Sequence, residues 1–163
     1  MNINFKKATI ADVSLIAQLA ESIWKKHYIS IITLEQIDYM LEMMYSPASL
    51  SKQMEAGHAF TLVYSDTRPV GYISLNTTDG KNYFLNKFYI EVDDQANGVG
   101  SALFQYVLSK MPTAETIELY VNRENYKSIN FYFKHGFIIK EVVNNAIGNG
   151  FFMNDFIMIK KIK

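Results

Sequence analysis

Phe88-Tyr89-Ile90-Glu91-Val92-Asp93-Asp94-Gln95-Ala96-Asn97-Gly98-Val99-Gly100-Ser101-Ala102-Leu103-Phe104 is the most informative run of the chain. Strand-forming residues lead into a polar loop with two glycines, and a helical pattern starts at once. Glycine admits positive φ and lets backbone approach a ligand closely. The first N–H groups of a helix have no partner within it and carry the positive end of its dipole. A strand, glycine loop and helix in this order suit a phosphate or pyrophosphate.

Known phosphate motifs narrow the choice. The P-loop needs a lysine after its last glycine, and none follows Gly100. The dinucleotide fingerprint G-x-G-x-x-G finds Gly98 and Gly100 but meets Leu103 at its third position. Glu118 stands where a ribose-binding acid would be counted, yet it falls in mid-strand. Antiparallel strands precede the motif, so a Rossmann domain fits poorly.

Upstream, Phe5 to Ala8 reads as a short strand. Thr9 and Asp12 form a capping pair, and Val13, Ile16, Ala17, Ala20 and Trp24 recur at helical spacing. Thr33 to Met44 repeats the pattern, with Thr33 as cap and a stripe of Ile37, Met40, Leu41 and Met44. Ser46-Pro47 punctuates, and Ser49 to Ala56 reads as a further short helix ending at Gly57. The period then becomes strand-like over Ala59–Ser65, Val70–Thr77 and Tyr83–Val92, with turn residues at 66–69 and 78–81. Connections this short require antiparallel pairing.

Downstream, Gly98 to Lys110 is helical and Pro112 ends it. Thr116 to Asn122 is a strand with Ile117, Leu119 and Val121 on one side. Strand, helix and strand form a βαβ unit, so Tyr83–Val92 and Thr116–Asn122 are expected to be parallel. Tyr126 to His135 is a helix closed by Gly136, with His135 placed to complement its end. Phe137–Asn144 and Phe151–Lys160 flank the Asn149-Gly150 turn, and Lys160, Lys161 and Lys163 read as a solvated tail. The order β-α-α-β-β-β-α-β-α-β-β gives an α+β class with a mixed central sheet and helices on both faces. No repeat, biased tract or linker interrupts it, so residues 1–163 read as one domain.

Composition removes several functions. Sixteen Lys+Arg balance sixteen Asp+Glu, whereas a DNA binder that neutralises phosphates carries a basic excess; no nucleic-acid partner is expected. With 49% apolar and 14% aromatic residues the chain is too rich for disorder. The absence of cysteine excludes disulfides, thiolate zinc sites and a cysteine nucleophile. His27, His58 and His135 lack ligand spacing, so no metal is expected. The start has no apolar signal core, and no run approaches the ~20 residues of a membrane span. The expectation is a cytoplasmic protein with no membrane partner.

Gln95-x-x-Gly98-x-Gly100 resembles the (Arg/Gln)-x-x-Gly-x-(Gly/Ala) acyl-CoA loop of the GNAT N-acetyltransferase superfamily. Asn125-x-x-Ser128-Ile129-x-Phe131-Tyr132-x-x-x-Gly136-Phe137 resembles a second GNAT block, with serine where alanine is commoner. Asp93-Asp94 stands where a proline is frequent. Order and spacing of both blocks agree, and the element order extends the likeness over nearly the whole chain. Within GNAT, the Trp24–Tyr28 and Gly150–Met158 segments are similar to PaiA-type polyamine (spermidine/spermine) acetyltransferases.

The resemblance implies a mechanism. Acyl-CoA enters where the fourth and fifth strands splay, the backbone of Ile90 and Val92 pairs with the pantetheine arm, and an N–H near Val92 polarises the thioester carbonyl. Such an oxyanion donor lowers the barrier by about 3 kcal/mol. Amides from Gln95 through Asn97, Gly98, Val99 and Gly100 to Ser101 hold the pyrophosphate, while Asn125, Ser128 and Lys134 lie along the cofactor. Tyr132 protonates the departing thiolate. Glu91 deprotonates the incoming amine, directly or through water; Glu118 is a second choice for base. The cosubstrate is acetyl-CoA, the acceptor a small primary amine such as a polyamine, and a homodimer is open. Glu21, Glu35, Asp38 and Glu42 are candidates for an acidic acceptor pocket, although solvated helix faces explain them more simply. Acetylation of protein N-termini or lysines, and a CoA-binding sensor without turnover, are the alternatives.

Overall fold

Local chemistry sets most element boundaries. The computed structural model describes residues 1–163, in two compact units: Met1–Asn76 with Lys87–Pro112, and Thr77–Asn86 with Thr113–Lys163. The hydrogen-bonded strand order is β1-β2-β3-β4-β5-β7-β6.

In the first unit, β1 (Ile3–Lys7) leads to a 3-10 turn (Ile10–Asp12) and to α1 (Val13–His27). The Asp12 carboxylate accepts the Thr9 N–H and the Lys6 ammonium, each at 2.9 Å. These bonds hold it below the usual carboxylate range, the Thr9 contact first. α1 buries Ile16, Leu19, Ala20, Ile23 and Trp24. Thr33 caps α2 (Leu34–Tyr45) by accepting the Gln36 N–H. α3 (Pro47–Glu55) starts two residues earlier than the spacing suggested. Ser46 is its cap, accepting the Ser49 N–H, and proline costs nothing at the first helical position because that N–H is unpaired in any case.

β2 (Ala59–Ser65) pairs antiparallel with β1 and with β3 (Arg68–Thr77). The turn between β2 and β3 is tighter than expected: Asp66 takes φ +55°, and Arg68 and Pro69 already belong to the strand. Pro69 is tolerated because it faces Tyr64 where the register shifts and no ladder N–H is needed. β4 (Asn82–Ile90) crosses from the second unit into the first, and α4 (Val99–Ser109) follows the loop. The core of this unit contains Ile16, Trp24, Leu62, Val63, Tyr72, Ile73, Leu103 and Phe104.

In the second unit, the Asp79 carboxylate accepts the N–H groups of Lys81 and Asn82, both at 2.8 Å, which shapes the turn into β4. Asn82–Leu85 pair parallel with Thr116–Leu119 of β5 (Thr116–Asn122). On its other edge β5 pairs antiparallel along its full length with β7 (Phe151–Lys161), which pairs with β6 (Ile138–Gly148). β6 runs beyond the expected Asn144 because only Asn149 and Gly150 make the turn, at φ +54° and +77°. Ile117, Leu119, Ile129, Phe137 and Met158 are buried here. α5 (Tyr126–Lys134) ends at His135. Lys160, read as tail, is a strand residue whose ammonium donates to the His135 carbonyl at 2.6 Å. Burial and that ammonium push the His135 pKa down, so Lys160 complements the helix end in place of a charged histidine. No helix is long and apolar enough to cross a membrane.

Candidate active site

The expected open loop after β4 is a 3-10 turn, Val92–Asn97, followed by Gly98 at φ +74° as the N-cap of α4. A left-handed cap favours glycine, and a Cβ there would meet nothing within 4 Å. No side chain caps the first turn of α4. Ala96, Asn97 and Gly98 are exposed, while Val99 and Gly100 are buried where α4 packs. The positive end of the helix dipole therefore meets an exposed glycine, as an anion site requires.

Side chains brace this loop. The Gln95 amide donates to the Ile90 carbonyl at 2.9 Å, so Gln95 also closes the turn onto the end of β4. Glu91 gives its N–H to the Val70 carbonyl at 2.7 Å. Its carboxylate accepts the Ser22 hydroxyl at 2.9 Å and lies 3.6 Å from the Lys26 ammonium. The Glu91 side chain is 15% exposed against 56% for Lys26, so the carboxylate is fixed and the lysine is free to swing. Asp94 is buried under a forked ion pair from Arg68. The Tyr28 and Tyr89 hydroxyls are 3.0 Å apart, and both rings pack on Trp24. Lys87 is buried against Tyr45 and Phe60 and donates to the Gln53 side-chain oxygen Oε1 at 2.7 Å. Burial pushes its pKa down to about 8.

In the second unit the β4–β5 ladder stops at Leu85↔Leu119. Beyond that pair, Tyr120 to Asn122 are paired with β7. Asn125 caps α5, its side-chain oxygen accepting the Ser128 N–H at 3.3 Å. Asn125, Ser128 and Tyr132 follow helical spacing along one side of α5, and Lys134 leaves from the opposite side and is exposed. Tyr132 is buried, with its ring edge-on to Phe137 at 5.3 Å. Glu118 is bound to the Lys140 ammonium.

Glu21, Glu35, Asp38 and Glu42 are exposed, with Lys25 near both Glu21 and Asp38; they face solvent. Sequence reasoning missed Ser22, Lys26, Arg68 and Lys87. A lysine between Asn86 and Phe88 in an aromatic strand was the one available signal, since alternation puts it on the same face as Leu85 and Tyr89.

Residues 29–158 match the family model described as an acetyltransferase (GNAT) domain. The chain is 26% identical over 168 aligned positions to the spermidine N(1)-acetyltransferase of Thermoplasma acidophilum, covering 99% of this chain and 98% of that protein. The crystal structure of PaiA N-acetyltransferase from Thermoplasma acidophilum, in complex with coenzyme A, superimposes with a TM-score of 0.81, 25% identity and 99% coverage of each chain. A GCN5-related N-acetyltransferase structure from Rhodopseudomonas palustris shares the fold, with a TM-score of 0.81, 16% identity and coverage of 99% and 97%. With its mixed seven-stranded α+β sheet and its glycine loop opening α4, the chain belongs to the GNAT acetyltransferase family and is an acetyl-CoA-dependent N-acetyltransferase.

Proposed function

We propose that the chain transfers the acetyl group of acetyl-CoA to a primary amine of a small polyamine, by direct attack within a ternary complex. The likeness to a spermidine N(1)-acetyltransferase over nearly the full length of both proteins supports this acceptor class. The match of residues 29–158, which draws on both units, supports reading 1–163 as one GNAT domain.

In this reading each unit has its own part. Amides from Gln95 to Ser101, through Asn97, Gly98, Val99 and Gly100, hold the pyrophosphate. The uncapped start of α4 and the left-handed Gly98 are the observations that carry this assignment. The backbone of Val92 and Ile90 lies along the pantetheine arm, and the Ile90 carbonyl already has one donor in Gln95. Asn125 and Ser128 lie along the cofactor, and Lys134, on the opposite side of α5, is left out of this reading. The amine nitrogen attacks the thioester carbon, the C–S bond breaks, Tyr132 gives its proton to the sulfur, and the proton the nitrogen sheds as the amide forms returns through solvent to the Tyr132 phenolate. The incoming ammonium must lose a proton first, because its ordinary pKa is about 10; Glu91, held by Ser22, takes it directly or through water.

Amine-dependent release of free CoA thiol, with mass analysis of the acetylated product across spermidine, monoamines, peptides with free N-termini and lysine peptides, tests the reaction. Spermidine is expected to release thiol and to be singly acetylated. Tyr132→Phe is expected to lower turnover by roughly a hundredfold, within the range for lost acid–base catalysis, with CoA affinity nearly intact. Equal turnover removes Tyr132 from the mechanism. Peptide acetylation without amine acetylation replaces the acceptor, and CoA binding without thiol release from any amine turns the protein into a sensor.

A further inference from the structure

Asp155 sits within β7, opposite Asn122 of β5 on one side and Val143 of β6 on the other. It is 1% exposed. Both carboxylate oxygens are sealed from solvent and have no hydrogen-bond partner. A buried carboxylate in that state is exceptional, since native structures pair nearly every such group and an orphan points to an absent ion or ligand. Arg123 is near enough to act on its charge but gives it no hydrogen bond. Its guanidinium is spent on β6, donating to the Val143 carbonyl at 3.2 Å and to the Asn144 side-chain oxygen at 2.8 Å.

Its place in the fold adds a direction. Asn122 is the last residue of β5, the strand that runs parallel to β4. Register partners share a sheet face, so Asp155 belongs to the carboxyl end of β5, where α5 begins after Asn125. Ligands of open sheets with parallel strands gather at that end. Burial pushes the Asp155 pKa up to about 6, against the pull of the Arg123 guanidinium.

We propose that Asp155 is the binding group for a second, non-reacting ammonium of the acceptor, and selects amines with two or more cationic nitrogens over monoamines. The attacking nitrogen must be neutral and gains nothing from such a partner; a distal ammonium does. This rests on the amine-acceptor reading above and names which amines that site takes.

The test compares wild type with Asp155→Asn, which keeps the shape and removes the charge. Spermidine and n-butylamine are used as acceptors, and spermidine and CoA as ligands in thermal unfolding. Wild type is expected to prefer spermidine in kcat/KM and to be stabilised by it. In Asp155→Asn the KM for spermidine is expected to rise roughly tenfold or more, the scale of a lost charged hydrogen bond. The value for n-butylamine stays put, the shift with spermidine disappears and the shift with CoA persists, which shows that the variant is folded. Unchanged spermidine KM and shift in the variant, or no shift with spermidine in wild type, overturn the assignment. If wild type acetylates neither amine, the functional reading fails, while the spermidine shift still decides for or against the cation site.

Discussion

The Arg68 guanidinium grips the Asp94 carboxylate through both of its terminal nitrogens, Nη2 at 2.9 Å from Oδ1 and Nη1 at 3.1 Å from Oδ2. One partner stands at the start of β3 and the other inside the 3-10 turn that precedes Gly98. The Asp94 side chain is 5% exposed and that of Arg68 60%, so the pair ties the loop to the sheet from the outside. Arg68→Ala leaves a buried carboxylate unpaired, a costly arrangement. Amide hydrogen exchange over residues 92–101 is expected to speed up and CoA affinity to fall several-fold. Arg68→Lys is expected to rescue only in part, because an ammonium cannot reproduce the fork. Unchanged exchange in Arg68→Ala would show that the loop is ordered without the pair.

Gly71 of β3 lies directly against the end of β4. A Cβ there would lie 2.4 Å from the Tyr89 carbonyl oxygen and 2.6 Å from Ile90 Cδ1. The isoleucine can rotate, but the backbone oxygen cannot. Gly71→Ala is therefore expected to destabilise the protein by about 1–3 kcal/mol, the usual range for overpacking, and to weaken CoA binding through displaced Ile90. Urea unfolding measures the first and calorimetry the second. A variant as stable as wild type would mean that the strands separate freely at this point.

Lys87 gives the fold a signature in pH. Its folded pKa lies near 8 against an ordinary 10.5. Between those values the unfolded chain keeps a proton that the folded chain has lost, so stability rises with pH across that window. The full gain is about 3 kcal/mol for a shift of this size. It is absent below pH 8, where both states are charged. Lys87→Met is expected to lose this part of the slope, read as the difference between wild-type and variant denaturation from pH 7.5 to 10. Parallel pH profiles would contradict the burial argument.

Much of this was legible in the residues. The two GNAT blocks have fixed spacing, and Gly98 and Gly100 allow few alternatives to a tight, uncapped helix start. Thr33 and Thr9 announced their helices because capping is local chemistry. Features made by distant residues were hidden. Nothing near Asp94 in sequence says that Arg68 will neutralise it, and Ser22 reaches Glu91 only because α1 packs where β4 ends. Pro47 misled because a proline that breaks one helix also starts the next well. The position of His135 at the end of its helix gives no sign that Lys160, far along the chain, reaches its carbonyl. Nothing near Asp155 in sequence announces its burial or the absence of a hydrogen bond to its carboxylate.

The direct measurement of the central claim, that backbone amides of the loop and the start of α4 hold the nucleotide end of the cosubstrate, is a calorimetric titration of the wild-type protein with CoA, dephospho-CoA and pantetheine. Dephospho-CoA keeps the pyrophosphate and is expected to bind within several-fold of CoA. Pantetheine lacks it and is expected to bind at least about tenfold more weakly, as the loss of even one charged hydrogen bond entails. Equal affinity for pantetheine and CoA would contradict the account, because the loop from Gln95 to Ser101 would then contribute nothing to the grip.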